Sequence, residues 1–102
     1  MMVNFVKAAA KADIPEGRGK SVTLEGNDIA LFNVGGTFHA IDNTCKHAGG
    51  PLGEGELDES QVVCPWHGWQ YDVMTGECMT TPGVTQKKYN VKVEGADVLI
   101  EI

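Results

Sequence analysis

Apolar and polar residues alternate along two stretches near opposite ends of the chain. Val22 and Leu24 alternate with polar neighbours in the first stretch, and Tyr89, Val91 and Val93 do so in the second. A period of two sends successive side chains to opposite faces of an extended strand. Each stretch therefore predicts a strand with one buried face.

Three glycine-containing turns connect these strands to further apolar runs. Their short, Gly- and Asn/Asp-rich sequences are typical of tight β-hairpins. They lie at residues 25–28, 35–36 and 94–97, and they precede apolar runs at 29–34, 37–41 and 98–102. The outer thirds of the chain therefore predict an antiparallel meander.

Helix is expected to be a minor component. Only residues 8–12 have a helix-forming composition, with four alanines and one lysine. Pro15 and Gly17 follow closely and limit any helix here to about one turn. The sequence therefore predicts an all-β fold.

The middle of the chain differs from its two ends. Between residues 44 and 83 the predicted strands are shorter and the density of glycine and proline rises, which is typical of a loop-rich segment. We predict one domain of residues 1–102. Residues 1–43 and 84–102 form an antiparallel β base, and residues 44–83 form an inserted, loop-rich subdomain.

The composition is that of a globular domain with an acidic surface. The 102 residues are 42% hydrophobic, and a chain of this length can bury a real core. Fourteen acidic against eight basic side chains give a net charge of -6, which disfavours binding to nucleic acid or to an anionic membrane. An acidic run comprises Glu54, Glu56, Asp58 and Glu59. The sequence leaves open whether this run is a solvated loop or attracts a basic docking partner.

The cysteine count and the hydropathy pattern predict a cytoplasmic protein. Cys45, Cys64 and Cys78 are an odd number, which favours reduced thiols over a disulfide framework. The first residues do not combine a charged segment with an apolar run, and no stretch has the length of a membrane span.

Two segments each offer one thiolate and one imidazole. Cys45 and His47 form the first pair, and Cys64 and His67 form the second, seventeen residues further along. These ligand types suit both zinc and iron. Structural zinc fingers usually place two cysteines on one knuckle and two histidines on a helix, whereas each segment here carries one of each. Glycine follows each pair, so the backbone can bend closely around a bound group.

The chain resembles the Rieske 2Fe-2S ferredoxins over most of residues 38–102. The carrying motifs are the ligand segments Cys45-Lys46-His47-Ala48-Gly49-Gly50-Pro51-Leu52 and Cys64-Pro65-Trp66-His67-Gly68-Trp69. Further matches lie at residues 53–55, 71–72, 75–76 and 81–83. The resemblance implies a Rieske fold with one 2Fe-2S cluster, in which Cys45 and Cys64 hold one iron and His47 and His67 hold the other.

The resemblance also implies a function. The chain is expected to be a soluble one-electron carrier without catalytic residues or an organic substrate of its own. It would take electrons from a flavin-dependent ferredoxin reductase and pass them to a terminal oxygenase of the aromatic ring-hydroxylating type. The small Rieske subunit of an assimilatory nitrite reductase is an alternative role, and a zinc-stabilised interaction module is a further one.

Three positions imply a low reduction potential. High-potential members of the family carry cysteines at the positions of Gly50 and Trp66, and a hydroxyl at the position of Trp69. This chain has none of the three, so its reduction potential is expected to be lower than theirs. Tyr71 matches a family tyrosine that donates to a ligand sulfur, which would raise the potential.

Five other residues are interpreted without a ligand role. His39 is expected on the sheet surface, and Cys78 is expected to pack as a small apolar group. Pro82 is assigned to a third loop covering the cluster. Trp66 and Trp69 could shield the cluster or form a docking surface, and the sequence does not divide these roles.

Overall fold

All the strands that the structure describes pair antiparallel, as the sequence predicts. The computed structural model describes residues 4–45, 49–66 and 68–102. Within these residues it has ten strands and two single-turn 3-10 helices, at Lys11–Asp13 and Leu52–Glu54. The strands are β1 (Phe5–Ala10), β2 (Arg18–Leu24), β3 (Asn27–Val34), β4 (Thr37–Asp42), β5 (Glu56–Asp58), β6 (Gln61–Val63), β7 (Gln70–Asp72), β8 (Lys88–Tyr89), β9 (Val91–Glu94) and β10 (Asp97–Glu101). The predicted all-β class is confirmed.

The strands form three sheets. Their orders are β1-β10-β9, β2-β3-β4-β8 and β5-β6-β7. The small third sheet lies between β4 and β8 in the chain, within the loop-rich segment that the sequence predicts. The exact division of the chain at residues 44 and 83 stays a prediction.

Two-residue turns set the register of the hairpins. Leu24 pairs with Asn27 across Glu25 and Gly26, which have φ angles of 49° and 83°. Val34 pairs with Thr37 across residues 35–36, whose φ angles are 58° and 93°. Positive φ at both central residues defines the type I′ turn, which matches the twist of paired strands. Hairpin turns are present at the predicted places, but the first is shorter than predicted, because Asn27 and Asp28 belong to β3.

Strand β3 is buried on both faces, which explains its continuous apolar run. Ile29 and Leu31 face a first core between the two larger sheets, and Ala30 and Phe32 face a second core on the opposite side. The first, which we call the base core, also contains Ala9, Ile14, Phe38, Ala40, Tyr89, Val98 and Ile100. The second, which we call the cysteine core, also contains Ile41, Cys45, Leu52, Val62, Cys64, Tyr71, Val73 and Cys78. The base core and the cysteine core therefore lie on opposite faces of β3.

The helix expected at residues 8–12 is wrong for its first three residues. Ala8–Ala10 belong to strand β1, where Ala9 pairs with Val98 and Ala10 with Asp97. Pairing with β10 and burial of Ala9 outweigh the helix propensity of alanine. Only a 3-10 turn at Lys11–Asp13 remains. No helix in the part of the chain that the structure describes is long and apolar enough to cross a membrane.

The stretch predicted as one strand around Tyr89 and Val91 is two strands in different sheets. Tyr89 in β8 pairs with Ala40 of β4, whereas Val91 in β9 pairs with Ile100 of β10. The chain thus changes sheets at Asn90. Alternation along a sequence predicts an extended backbone, but the pairing partners come from distant parts of the chain.

Candidate metal centre

Cys45 and Cys64 open two loops that are closed by the same pair of backbone hydrogen bonds. Cys45 N–H donates to the Gly50 carbonyl at 2.9 Å, and Gly49 N–H donates to the Cys45 carbonyl at 2.8 Å. In the second loop, Cys64 N–H donates to Trp69 at 2.7 Å and Gly68 N–H donates to Cys64 at 3.2 Å. Each bond therefore joins the same relative positions in both loops. The two cysteines therefore occupy equivalent positions in the backbone hydrogen bonding of their loops.

Glycine makes this closure possible. Gly49 and Gly68 each lie four residues after their cysteine, with φ angles of 79° and 76°. An L side chain rarely adopts this left-handed conformation, whereas glycine does so at little cost. The glycines noted in the sequence therefore have a defined role in both loops.

The two cysteines lie together inside the cysteine core. Cys45 and Cys64 are each 1% exposed there. Burial raises the pKa of the Cys64 thiol, the Trp66 N–H opposes this, and the neighbouring Cys45 raises the pKa further. Two buried thiols in contact are stable as thiolates when a cation neutralises them. The pair therefore suits a positively charged metal group.

Gly50 allows the two loops to approach each other. A Cβ atom at this position would lie 2.9 Å from Cys64 Sγ and 2.9 Å from Cγ of Trp66, closer than carbon tolerates. Residues 50 and 66 are thus neighbours across the two loops. These are the positions at which the family resemblance places two additional cysteines in high-potential members.

Tyr71 supplies a hydroxyl group to the same site. The residue lies in the middle of β7, is 0% exposed, and places its hydroxyl oxygen 3.4 Å from Cys45 Sγ. A sulfur ligand that accepts this hydrogen bond is less electron-rich, which tunes a metal group bound to it. The contact expected from the family tyrosine is therefore present.

Both predicted histidine ligands lie outside the described residues. His47 falls in the gap at residues 46–48, and His67 is the single residue between 66 and 68 that the structure does not describe. The structure thus brings together Cys45 and Cys64, and the assignment of all four residues as ligands stays a prediction.

The two tryptophans differ in burial. Trp66, directly before His67 in the sequence, is 51% exposed, whereas Trp69 is half-buried and packs against the cysteine core. Trp66 is therefore available to a docking partner. Trp69 contributes to the apolar surroundings of the two thiols.

The burial of Cys78, Pro82 and His39 can be compared with the sequence predictions. Cys78 is buried in the cysteine core, where its sulfur accepts a hydrogen bond from Thr81 N–H at 3.3 Å, so the packing prediction is confirmed. Pro82 is exposed. His39 is half-buried and not a fully exposed surface residue. Burial lowers its pKa, Lys88 lowers it further, and Asp72 opposes both.

Sequence reasoning missed two polar residues that hold the first loop. The Asn43 side-chain oxygen accepts hydrogen bonds from the Ser21 hydroxyl at 3.1 Å and from Gly53 N–H at 2.8 Å. Gln86 is 1% exposed and donates from its side-chain nitrogen to carbonyl oxygens at the start of the same loop. A polar residue between polar neighbours gives no sequence signal of burial.

The residues present fit an iron–sulfur group. Two buried thiols supply anionic sulfur ligands, and Gly50 leaves the space beside Cys64 that a side chain would fill. Tyr71 offers a hydrogen-bond donor to one of the sulfurs. Thiolate ligands with tuning hydrogen bonds are typical of iron–sulfur sites.

Comparison with known proteins agrees with this chemistry. The model of the Rieske 2Fe-2S domain matches residues 4–98. The ferredoxin component of the naphthalene 1,2-dioxygenase system of Pseudomonas putida is 39% identical over 104 residues, covering 100% of this chain and 99% of that protein.

Two solved structures have the same fold. A chain from the complex of reduced oxygenase and oxidized ferredoxin in carbazole 1,9a-dioxygenase has a TM-score of 0.87 and 31% identity, covering 95% of this chain and 92% of that chain. A protein described as an NADH-dependent nitrite reductase small subunit, from Mycobacterium tuberculosis, has a TM-score of 0.90 with 23% identity, covering 100% and 97% of the two chains. The second likeness concerns the fold alone. On the family model and the full-length relative, the chain belongs to the Rieske 2Fe-2S domain family.

Proposed function

We propose that this protein is a one-electron carrier in which Cys45 and Cys64 bind one iron of a 2Fe-2S cluster and His47 and His67 bind the other. The observation that carries the proposal is the pair of buried thiols at the heads of two equivalently closed loops. When bound, the cluster accepts and releases a single electron. Two neutral imidazoles in place of two thiolates make the cluster easier to reduce.

The chain's own residues have separate tasks around the cluster. The cysteine core excludes water from the thiolate side, the Tyr71 hydroxyl would donate a hydrogen bond to a Cys45 thiolate, and the Gly50 position allows the loops to close. The histidine side would provide the route for the electron, since it lies beside the exposed Trp66 in the sequence.

The partners are proposed to be a flavin-dependent ferredoxin reductase as the donor and a terminal oxygenase as the acceptor. The full-length relative is the ferredoxin component of a dioxygenase system, and the 31% identical structure belongs to a complex of oxygenase and ferredoxin. The net charge of -6 and the exposed acidic residues 54, 56, 58 and 59 support docking to basic partner surfaces.

We infer that the chain catalyses no reaction on an organic substrate. Oxygenase chemistry at non-haem iron uses two histidines and one carboxylate. With His47 and His67 assigned to the cluster, His39 is the one histidine left among the three in the sequence. We also infer that the protein works in the cytoplasm, where its three cysteines would stay reduced. Residues 44–83 would form its cluster-binding subdomain and the remaining residues its base.

The nitrite reductase role is a weaker alternative. Its support is the shared fold alone: the TM-score to a nitrite reductase small subunit is 0.90, but the identity to that protein is 23%, against 39% to the dioxygenase ferredoxin. A zinc-stabilised interaction module would require a colourless protein without redox activity.

Spectroscopy with electron transfer tests the proposal. The purified protein should contain about two irons and two sulfides per chain and give a rhombic electron paramagnetic resonance signal after reduction. It should accept electrons from a flavin-dependent reductase and support turnover by an aromatic-ring terminal oxygenase. His47→Cys and His67→Cys should each lower the potential or lose the cluster, and an unchanged signal in either variant would refute the ligand assignment.

A further inference from the structure

A fully buried glutamine holds the backbone that leads into the first ligand loop. Gln86 lies in the segment between β7 and β8 and is 1% exposed. Its side-chain nitrogen donates to the carbonyl oxygen of Asp42 at 3.0 Å and to that of Thr44 at 2.6 Å. Thr44 is the residue directly before Cys45. One amide group thus binds the chain at two points within three residues of the first thiol.

The backbone of Gln86 is itself fixed. Its N–H donates to the Gly76 carbonyl at 2.7 Å, and the neighbouring Lys87 carbonyl accepts from Asp42 N–H at 2.9 Å. Gly76 has a φ angle of 86° and lies too close to the Gln86 carbonyl to carry a Cβ atom. The amide therefore projects from a rigid support.

Hydrogen bonds to the side-chain nitrogen fix the orientation of the amide. The nitrogen faces two carbonyl oxygens, while Gln86 Oε1 is buried without a hydrogen-bond partner among the described residues. Rotating the amide by half a turn would bring its oxygen against those carbonyls. A buried polar atom without a partner costs free energy. The hydrogen bonds that stabilise this side chain therefore come from its nitrogen alone.

Movements of this backbone matter because the cysteine that follows it contacts Tyr71. The Tyr71 hydroxyl lies 3.4 Å from Cys45 Sγ, within hydrogen-bond distance of sulfur, and a shift of the loop would lengthen this contact. On the other side of the loop, the Asn43 oxygen is bound to Ser21 and Gly53. Gln86 and Asn43 therefore hold residues 42–44 from two directions.

We propose that Gln86 is a positioning residue that keeps the Cys45 sulfur within reach of the Tyr71 hydroxyl and thereby tunes the electron affinity of the bound cluster. The proposal rests on the proposed function, because it assigns Cys45 to the cluster. Glutamine suits the task because its amide offers two N–H donors to two carbonyls at one nitrogen. Methionine has the same length but offers none.

The test uses the cluster-loaded protein and two substitutions at this position. Gln86→Met removes both donors, and Gln86→Asn keeps an amide that is one methylene too short to bind both carbonyls. Gln70→Met is the matched control, because Gln70 is an exposed glutamine on β7 in the same part of the molecule. The midpoint potential and the g values of the reduced cluster are measured for each variant.

We expect Gln86→Met to lower the midpoint potential and shift the g values, Gln86→Asn to do so by less, and Gln70→Met to do neither. In a Tyr71→Phe background, Gln86→Met should cause less than half of the shift that it causes in the wild type, since both act on the same contact. A structural role alone would leave the two shifts additive.

Additive shifts, or an unchanged potential and spectrum in Gln86→Met, would overturn the proposal. If the methionine variant does not fold, a wild-type potential in Gln86→Asn has the same effect. A wild-type protein without a Rieske signal would instead refute the proposed function. A wild type that carries the signal and reduces an oxygenase, with unaltered Gln86 variants, refutes the positioning role alone.

Discussion

The hydroxyl oxygen of Tyr71 lies 3.4 Å from the sulfur of Cys45, and both residues are buried in the cysteine core. A donor at this position stabilises the electron-rich, reduced form of a cluster more than the oxidised form. We predict that Tyr71→Phe lowers the midpoint potential by roughly 40 to 60 mV, the equivalent of about 1 to 1.4 kcal/mol for one electron. A redox titration followed by absorbance measures the shift.

Tyr89→Phe is the matched control for this substitution. Tyr89 is the other tyrosine of the chain and lies in the base core, where its hydroxyl donates to an Asp42 carboxylate oxygen at 2.8 Å. Its removal should leave the potential close to that of the wild type. Equal shifts in both variants would show that the Tyr71 effect does not come from the contact with Cys45.

Gly50 is predicted to be intolerant of a side chain. A Cβ atom would lie 2.9 Å from Cys64 Sγ and from Cγ of Trp66, so Gly50→Ala must push the two loops apart. We expect a loss of about 1 to 3 kcal/mol of stability and less than half of the wild-type iron content per chain. Iron analysis and thermal unfolding provide the two measurements.

Gly95→Ala separates this effect from a general loss of stability. Gly95 lies in the β9–β10 turn with a φ angle of 60°, and the space around it is open. Alanine there is strained but contacts nothing, so the melting temperature should fall while the iron content stays at the wild-type level. Full iron occupancy in Gly50→Ala would contradict our view of the loop contact.

The reduction potential is predicted to lie near the low end of the Rieske range, at about -150 mV. Residues 50 and 66 are neighbours across the two loops but are glycine and tryptophan, so no disulfide can join the loops there. Trp69 packs against the cysteine core without a hydroxyl that could donate to a cluster sulfur. Protein-film voltammetry at neutral pH is the measurement, and a midpoint above zero would refute the prediction.

Tyr89 is predicted to make stability fall at alkaline pH. Burial and the neighbouring Asp42 carboxylate raise the pKa of Tyr89 from 10.0 to about 12. Between these values the folded protein keeps a proton that the unfolded chain releases, so the free energy of unfolding decreases as the pH rises from 10 to 12. Below pH 10 this contribution is fully present.

Tyr89→Phe removes this source of pH dependence. Its free energy of unfolding in urea should decrease less steeply above pH 10 than that of the wild type. The difference in phenolate absorbance between the two proteins should titrate with a pKa of about 12. A difference titration centred at pH 10 would show that the Asp42 contact does not form in solution.

Features encoded within a few residues could be predicted from the sequence. The tight turns that begin at residues 25 and 35 and the bends at the glycines after each cysteine depend on local backbone conformation, and they are present where the sequence predicts them. The continuous apolar run of β3 was expected to be a strand, but its division between two cores depends on sheets built from both ends of the chain.

Features that depend on distant partners could not be predicted. The alanines of β1 become a strand because β10 pairs with them, about ninety residues later in the sequence. Gln86 is buried because two carbonyls more than forty residues earlier accept its N–H groups. Neither the strand nor the burial leaves a periodic pattern in its own segment.

Trp66 is predicted to contribute to docking with the electron acceptor. Its side chain is 51% exposed and follows Cys64 by two residues, so it lies at the surface of the second ligand loop. Large exposed aromatic side chains contribute strongly to protein interfaces when they become buried. We expect Trp66→Ala to reduce the second-order rate constant for reduction of the terminal oxygenase about tenfold, which corresponds to about 1.4 kcal/mol.

The midpoint potential separates docking from an effect on the cluster. Trp66→Ala keeps the backbone of the loop, so its potential and spectrum should stay close to those of the wild type. Met74→Ala is the control, because Met74 is similarly exposed, at 48%, but lies in the turn after β7 and not in a ligand loop. A rate constant that is unchanged in Trp66→Ala, or lowered equally in Met74→Ala, would place the docking surface elsewhere on the molecule.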